Sequence, residues 1–414
     1  MAVSAEIRDK VERLLMELIR IPSTRGGEGP AVRCFGKHIA PWVDICEEVP
    51  INDAMMQDPD YAFPLQGQTY RDTPNLECFI RGQDKGPTIV FNTHLDVVPP
   101  SEGQSDAFMP RREGGKIFGR GACDAKGQAA TLFALALLLR ERKSVPAGNI
   151  LFHLVIEEEN GGNGTLAMVR RGVRADAAVV LEPTEMAVIP AVRGAMWFEL
   201  QTFGQAGHSG RPEGRISALD KAMEAMKILR DTHDRLLADS RGLALFDLFP
   251  DPMPLTFGQC AAGTWPASVP AKAVVKGVFG FLPNRTRREV QNIMLDALRT
   301  QGDTWLREHF ALIFPMLHSE GNMLPVDHPL VTSLLGGLRK NKVKETITAM
   351  TASCDAWLYH HQARIPTVVF GPGSLSHAHS AQEQIVVEDI LTAASVLADV
   401  VIDAQFQNSG RWGE

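Results

Sequence analysis

The sequence predicts an α/β protein: a mixed, largely parallel sheet flanked by helices, with a smaller α+β unit inserted between its two halves. Three observations carry that prediction. From Leu76 onward, apolar strand-like runs alternate with longer helical stretches. Near Arg193 this rhythm gives way to half-buried strands and amphipathic helices, and after about Pro315 it resumes. Length agrees, because 414 residues at roughly 150 per domain imply two or three domains. The boundaries drawn this way are 1–192 with 316–414 for the first domain and 193–315 for the inserted one.

In chain order, Ile7, Val11, Leu14, Leu15, Leu18 and Ile19 fall at helical spacing. They form the apolar stripe of an opening helix that Pro22 closes. Residues from about Asp53 to Asp72 are polar, Pro-containing and aperiodic, a loop. PTIVFNTHLDVV reads as a strand. DAKGQAATLFALALLLRER reads as a buried helix whose apolar run stops at Arg140, Glu141 and Arg142. GNILFHLVIEEE and AAVVLEP are further strands. Beyond Arg193, AMWFELQTFGQ and AVVKGVFGFLP are strands, while RISALDKAMEAMKILRDTHDRLL and RTRREVQNIMLDALRTQ are helices. That order suggests two helices on an antiparallel sheet. The helix DHPLVTSLLGGLRK and the strand IPTVVFGPG then return to the first rhythm.

Hydrophobic residues make up 44% and charged residues 22% of the chain, a globular balance that excludes disordered, collagenous and coiled-coil classes. The formal net charge of -7, with no basic block, argues against nucleic acid or an anionic membrane as a partner. No stretch reaches about 18 uncharged apolar residues. Charges from Glu6 to Arg13 interrupt the N-terminus before the apolar region of a secretory signal forms. Cys34, Cys46, Cys78, Cys123, Cys260 and Cys354 include no CxxC pair and no dense framework, so reduced thiols and a cytoplasmic location are expected.

His94 and Asp96 close the strand run TIVFNTHLD. Side chains alternate along a strand, so the two face the same way at the carboxyl edge of the sheet. Ligands of open α/β sheets collect there. An imidazole beside a carboxylate is the pattern of a metal ligand and its orienting partner; a satisfied strand-end histidine is the plainer alternative. Asp124, in GRGACDAKG, precedes the long buried helix. Capping that helix would suffice for a lone aspartate, while Gly119 and Gly121 suggest a backbone path that presents the carboxylate. Glu157, Glu158 and Glu159 end an apolar strand and run into GGNG. Adjacent carboxylates repel one another; a cation relieves that, and a neighbour of raised pKa can serve as a general base. Glu182 repeats the pattern of strand then carboxylate in VVLEPT, and FGPGSLSHAHSAQE carries His377 and His379 after the last strand. Alone, Glu182 is a solvated strand-exit charge and either histidine a surface residue. As a set, His94, Asp124, one glutamate of the triple, Glu182 and His379 collect at strand ends of one domain. Two histidines and three carboxylates suit two zinc ions bridged by one carboxylate.

The segments THLDVVP, GRGACDAKG, EEENGGNG, LEPT, GQAGHSGRPEGRISA and AHSAQE span most of the chain. In this order they resemble the di-zinc metallopeptidase family of acetylornithine deacetylase, succinyl-diaminopimelate desuccinylase, aminoacylase and the glutamate carboxypeptidases. The resemblance implies a zinc-peptidase-like α/β domain and makes the inserted unit a lid through which two subunits pair. It implies that His94 and Glu182 serve one zinc, Glu159 and His379 the other, and Asp124 bridges them. Asp96 would orient His94, and Glu158 would be the general base. His208, in GQAGHSG, resembles a histidine that stabilises the oxyanion, often from the partner subunit; a loop histidine capping the next helix is its plainer role. Many members bind the substrate carboxylate with an arginine on a late lid strand. Here GVFGFLPNRT has none within the strand, which leaves Asn284 and Arg285, with Arg287 beyond, as anchors; Asp355, in TASCDAW, resembles an element near the substrate.

The expected activity is metal-dependent hydrolysis of the amide bond in an N-acyl amino acid or related small amide. Two zinc ions are the expected cofactor, and cobalt or manganese suits the same ligands. A homodimer is expected, without nucleic acid or membrane. A dipeptidase or carboxypeptidase of the same family is the alternative, weakened by the missing arginine. A catalytically silent binding protein stands against the complete ligand set. A nucleotide enzyme would place GxGxxG after an early strand, and none opens a helix there.

Overall fold

The computed structural model describes residues 3–83, 85–210, 214–315 and 317–402. Residue contacts divide the chain into two units: Met1–Pro190 with Met323–Thr348 and Cys354–Glu414, and Ala191–Asn322 with Ala349–Ser353.

In the first unit, helix α1 (Ala5–Ile19) begins where the Ser4 hydroxyl accepts from the Ile7 amide, and it buries Val11, Leu14, Leu15 and Leu18. Helix α2 (Gly29–Ile39) carries a proline in its first turn, where no amide donor is missed. Strand β1 (Ile45–Val49) follows. The expected loop after it contains one short 3-10 helix, Asp53–Gln57. Strands β2 (Asn75–Ile80) and β3 (Ile89–His94) lead to helix α3 (Lys126–Glu141).

Among the described residues, the large sheet has nine strands. Its centre is parallel: Ile150–Val155 pairs with β3, β3 with Ala177–Val180, and Ala177–Val180 with Thr367–Val369. The flanks are antiparallel, β1 to β2, β2 to Ile150–Val155, and Thr367–Val369 to Val188–Val192. Every residue of β3 and of Ala177–Val180 is buried, as parallel strands covered on both faces require. Helix α3 is buried from Lys126 to Leu139 because α1 and the helix Val387–Ile402 pack against it. A parallel centre brings the carboxyl ends of its strands to one edge. His94 ends β3, the glutamate triple follows Val155, Glu182 follows Val180, and the His379 loop follows Val369.

The second unit has a five-stranded sheet in the order Leu255–Ala262, Lys272–Phe281, Gly194–Phe203, Phe310–Ile313, with His318–Ser319 also on Gly194–Phe203. These pairings are antiparallel. Helices Ala218–Asp239 and Arg287–Gln301 pack on it and enclose a core that includes Phe198, Leu200, Leu229, Val275, Phe279, Met294 and Leu298. Thr286 and Glu289 close a reciprocal capping box at the start of the second helix, which satisfies two otherwise orphaned amides. Among the described residues, no helix is long and apolar enough to cross a membrane.

Candidate metal centre

The sheet edge holds a tight polar cluster. His94 is buried. Its Nδ1 lies 3.0 Å from the Asp96 carbonyl oxygen and its Nε2 lies 2.9 Å from Asp124 Oδ1. A carbonyl can only accept, so Nδ1 carries a proton and Nε2 is the nitrogen turned to Asp124. The other oxygen of Asp124 faces His379, with Oδ2 3.4 Å from Nε2. That same Nε2 lies 2.9 Å from Glu159 Oε1. Asp124 therefore stands between two histidines, one to each oxygen. Ligand atoms of His94, Asp124 and Glu159 all lie within 4.8 Å of one another.

Asp124 does not cap α3. The cap position is Ala125, and no side chain bonds there. The chain arrives through Gly119 and Gly121 at φ 143 and 84, conformations that side-chain-bearing residues avoid. A Cβ on Gly121 would stand 2.7 Å from Val97 Cγ1.

The three adjacent glutamates have three different surroundings. Glu157 is buried at φ 58. Its carboxylate accepts from Arg25 Nε at 3.0 Å, the Tyr70 hydroxyl at 2.6 Å, Asn163 Nδ2 at 2.7 Å, and Gln68. Those bonds hold a backbone conformation that is costly for a non-glycine residue. Glu158 and Glu159 leave the strand in a turn whose amides donate to Asp96, at 3.2 Å to Oδ1 and 3.1 Å to Oδ2. The Asp96 carboxylate thus fixes the Glu158–Glu159 turn as well as lying 3.4 Å from His94 Nδ1.

Charge is concentrated here. Burial, followed by the charges of Glu182 and Asp355, pushes the Glu158 carboxyl well above its ordinary value. Burial does the same to Glu182, whose neighbours in the field are His94, Asp124, Asp355 and Glu159. Asp355 is raised to about 6, mainly by burial, while Thr165 donates to it at 2.6 Å. Burial opposes ionisation of Asp124, yet hydrogen bonds from His379 and His94 hold it well below the usual range. Bonds to Asp124 and Glu159 lift His379 to about 10. A cluster of buried and half-buried carboxylates facing two imidazoles is an environment that a divalent cation stabilises.

The remaining expected residues lie elsewhere. His377 is half-buried beside Gln384, 3.4 Å away. His208, Asn284 and Arg285 belong to the second unit. There His208 is exposed in a two-residue strand opposite Ser268, and its Nδ1 accepts from the Gly210 amide at 3.1 Å. It does not cap the next helix; Ser217 does. The Asn284 carboxamide bonds Ser240 at 3.2 Å. The Arg285 guanidinium lies 4.0 Å from Asp239.

Two residues that sequence reasoning left without a role support the cluster. Arg120 and Glu383 form a fully buried ion pair at 2.6 Å. Glu383 Oε1 accepts from the amides of Cys123 and Asp124, each at 3.1 Å. Arg120 also donates to the Ser101 hydroxyl at 3.2 Å and the His379 carbonyl at 3.4 Å. The pair ties the Asp124 turn to the His379 loop. Both lie in the segments GRGACDAKG and AHSAQE, but turn charges are usually solvated, so their type alone gave no signal. Lys126 is also buried and donates to the carbonyls of Leu18 at 2.9 Å and Ile21 at 2.8 Å; burial lowers it to about 7.

Residues 90–403 match the family model described as peptidase family M20/M25/M40. Among curated proteins, the chain is 28% identical over 361 residues to N-formyl-4-amino-5-aminomethyl-2-methylpyrimidine deformylase of Bacillus subtilis, covering 80% of this chain and 83% of that one. It is 32% identical over 255 residues to succinyl-diaminopimelate desuccinylase of Methylobacterium radiotolerans, covering 58% and 59%. Among solved structures, a dinuclear metal-binding peptidase of B. subtilis matches with a TM-score of 0.67 at 14% identity, over 96% of this chain and 98% of that one.

Proposed function

Because the chain belongs to peptidase family M20/M25/M40, whose members hydrolyse amide or peptide bonds, we propose that it removes the acyl group from an N-acyl amino acid or related small amide. The observation that carries this reading is Asp124 with one oxygen toward each histidine, beside a Glu158 carboxyl pushed up by its surroundings. The donor set fits two divalent metals, zinc in the first instance: imidazoles and carboxylates converge, and the buried carboxylates lack enough cationic partners of their own. His94 and Glu182 would hold one metal, Glu159 and His379 the other, with Asp124 between them. Bound there, the metals supply Lewis-acid polarisation of the amide carbonyl and a water acidified toward pKa about 7.

The rest falls to the chain. Glu158 takes a proton from the attacking water and returns it to the departing amine nitrogen. Asp96 keeps Glu158 and Glu159 in place through their amides, and the Asp96 carbonyl fixes the tautomer of His94. His208 would donate to the developing oxyanion. Asp355, Asn284 and Arg285 are the residues proposed to meet the substrate. Similarity to a deformylase and a desuccinylase supports acyl removal from a small amine.

A panel of N-formyl, N-acetyl and N-succinyl amines with dipeptides, each run after chelation and after zinc readdition, tests the reading. Metal-dependent cleavage of an acyl class supports it; cleavage of dipeptides alone replaces it with the peptidase alternative. Glu158→Gln should lower kcat by at least roughly 10²–10⁴-fold with metal content unchanged, and wild-type turnover in that variant refutes the assigned base. The proposed quaternary form is a cytoplasmic homodimer paired through residues 193–315. The strand Leu255–Ala262 at the edge of the second sheet supports it, since an open edge is a ready pairing surface. A mass in solution equal to a single chain would remove it.

A further inference from the structure

We propose that Glu17, Cys34 and His38 form a separate binding site for a thiophilic divalent cation such as Zn²⁺, on the surface formed by α1 and α2. Cys34 and His38 stand four residues apart on α2 and so share one face of that helix. Glu17, in the last turn of α1, reaches across to them. Its Oε2 lies 2.8 Å from His38 Nε2, and ligand atoms of all three residues lie within 4.8 Å of one another. None of these residues belongs to the sheet-edge cluster.

The donor mixture selects the metal. One sulfur, one imidazole nitrogen and one carboxylate oxygen match the tetrahedral preferences of zinc and are foreign to magnesium or calcium, which take oxygen ligands. All three side chains are half-buried, so they are partly held in place while one side stays open for entry and for a water as fourth ligand. The His38 ring is set edge-on to Phe133, with centroids 6.1 Å apart and planes at 83°, which restrains its rotation. Burial and then the charge of Glu17 raise the Cys34 thiol above its ordinary value. A divalent cation reverses both effects by replacing the thiol proton. The plainer description is a surface Glu17–His38 ion pair with Cys34 beside it by chance, and the two make different predictions.

The test is a cobalt titration of the chelated full-length protein under reducing conditions. The sheet-edge cluster offers only nitrogen and oxygen, so a thiolate-to-cobalt charge-transfer band in the near ultraviolet reports a cysteine ligand. The wild-type chain should bind one equivalent more than the sheet-edge cluster takes, with that band. Cys34→Ser should lose both the band and the extra equivalent, and His38→Ala should weaken the extra equivalent by roughly tenfold or more. Cys46 and Cys78 need a control, because their sulfurs lie 3.3 Å apart; Cys46→Ser should keep the band. A wild-type titration without the band, or a band that survives Cys34→Ser, overturns the proposal. Hydrolysis by Cys34→Ser should be unchanged, so failure of the hydrolase reading leaves this result interpretable.

Discussion

At the scale of single residues, the molecule assigns different work to chemically identical groups by what it places around them. Glu157 spends its acceptor capacity on Arg25, Gln68, Tyr70 and Asn163, so it is unsuited to carry a proton to substrate. Glu158, one residue on, has a carboxyl with raised affinity for a proton. Glu28 shows a third outcome. It is fully buried, its Oε1 accepts from the Gly26 amide at 3.0 Å, and its Oε2 has no hydrogen-bond partner among the described residues. Burial, then the charges of Asp96 and Glu157, raises it from 4.5 to about 8. The folded chain therefore binds more protons than the unfolded chain between those values. The stability contributed by the protonated carboxyl is complete below pH 4.5 and is lost as pH rises through about 8. Glu28→Gln keeps a neutral side chain throughout. It should match the wild type to within about 1 kcal/mol near pH 5 and exceed it near pH 9 by roughly 4 kcal/mol, read from urea unfolding of metal-saturated protein. Parallel stability curves for the two proteins over that range would rule the account out.

At the scale of elements, the parallel centre of the sheet explains why distant segments converge. Its strands are apolar runs, so they were visible in the sequence, and each is followed by a chemistry-bearing residue at the same edge. His94, the Glu157–Glu159 run, Glu182 and the His379 loop could be singled out because a charged or imidazole group after an apolar strand is conspicuous, and Asp124 because it follows a Gly-rich turn just before the buried helix. The order of roles within Glu157–Glu159 was not visible without the family resemblance, because it depends on Arg25, Tyr70 and Asn163, which local spacing does not bring together. The strand Leu255–Ala262 was missed too, since its residues are mostly exposed and show little alternation of apolar and polar. Arg120 and Glu383 escaped for the same reason as Glu157: their pairing is tertiary. Through Cys123 and Asp124 amides, Glu383 holds the turn that aims Asp124 between the histidines. Glu383→Gln should therefore weaken metal binding by roughly 10–100-fold, measured by competition with a chromogenic chelator. Activity should return at saturating metal with a near-normal KM, which a globally misfolded variant would not allow. Unchanged metal affinity would reduce the pair to a packing feature.

At the scale of the whole molecule, the residues proposed to hold metal all lie in the first unit, whereas the second has a hydrophobic core of its own. A ligand that binds only the native state stabilises the part it binds, by about 4 kcal/mol when free metal is 1,000 times its dissociation constant. The two units should then respond differently to chelation. In calorimetry, removing metal should move one unfolding transition to lower temperature and leave another in place. Leu298→Ala assigns them. Leu298 is fully buried in the second core, and its truncation should cost that unit roughly 2–5 kcal/mol. It should lower the metal-insensitive transition and spare the metal-sensitive one. A single transition that shifts as a whole under both treatments would mean that the inserted unit borrows its stability from the metal-bearing one, and that its compact core does not by itself make it an independent folding unit.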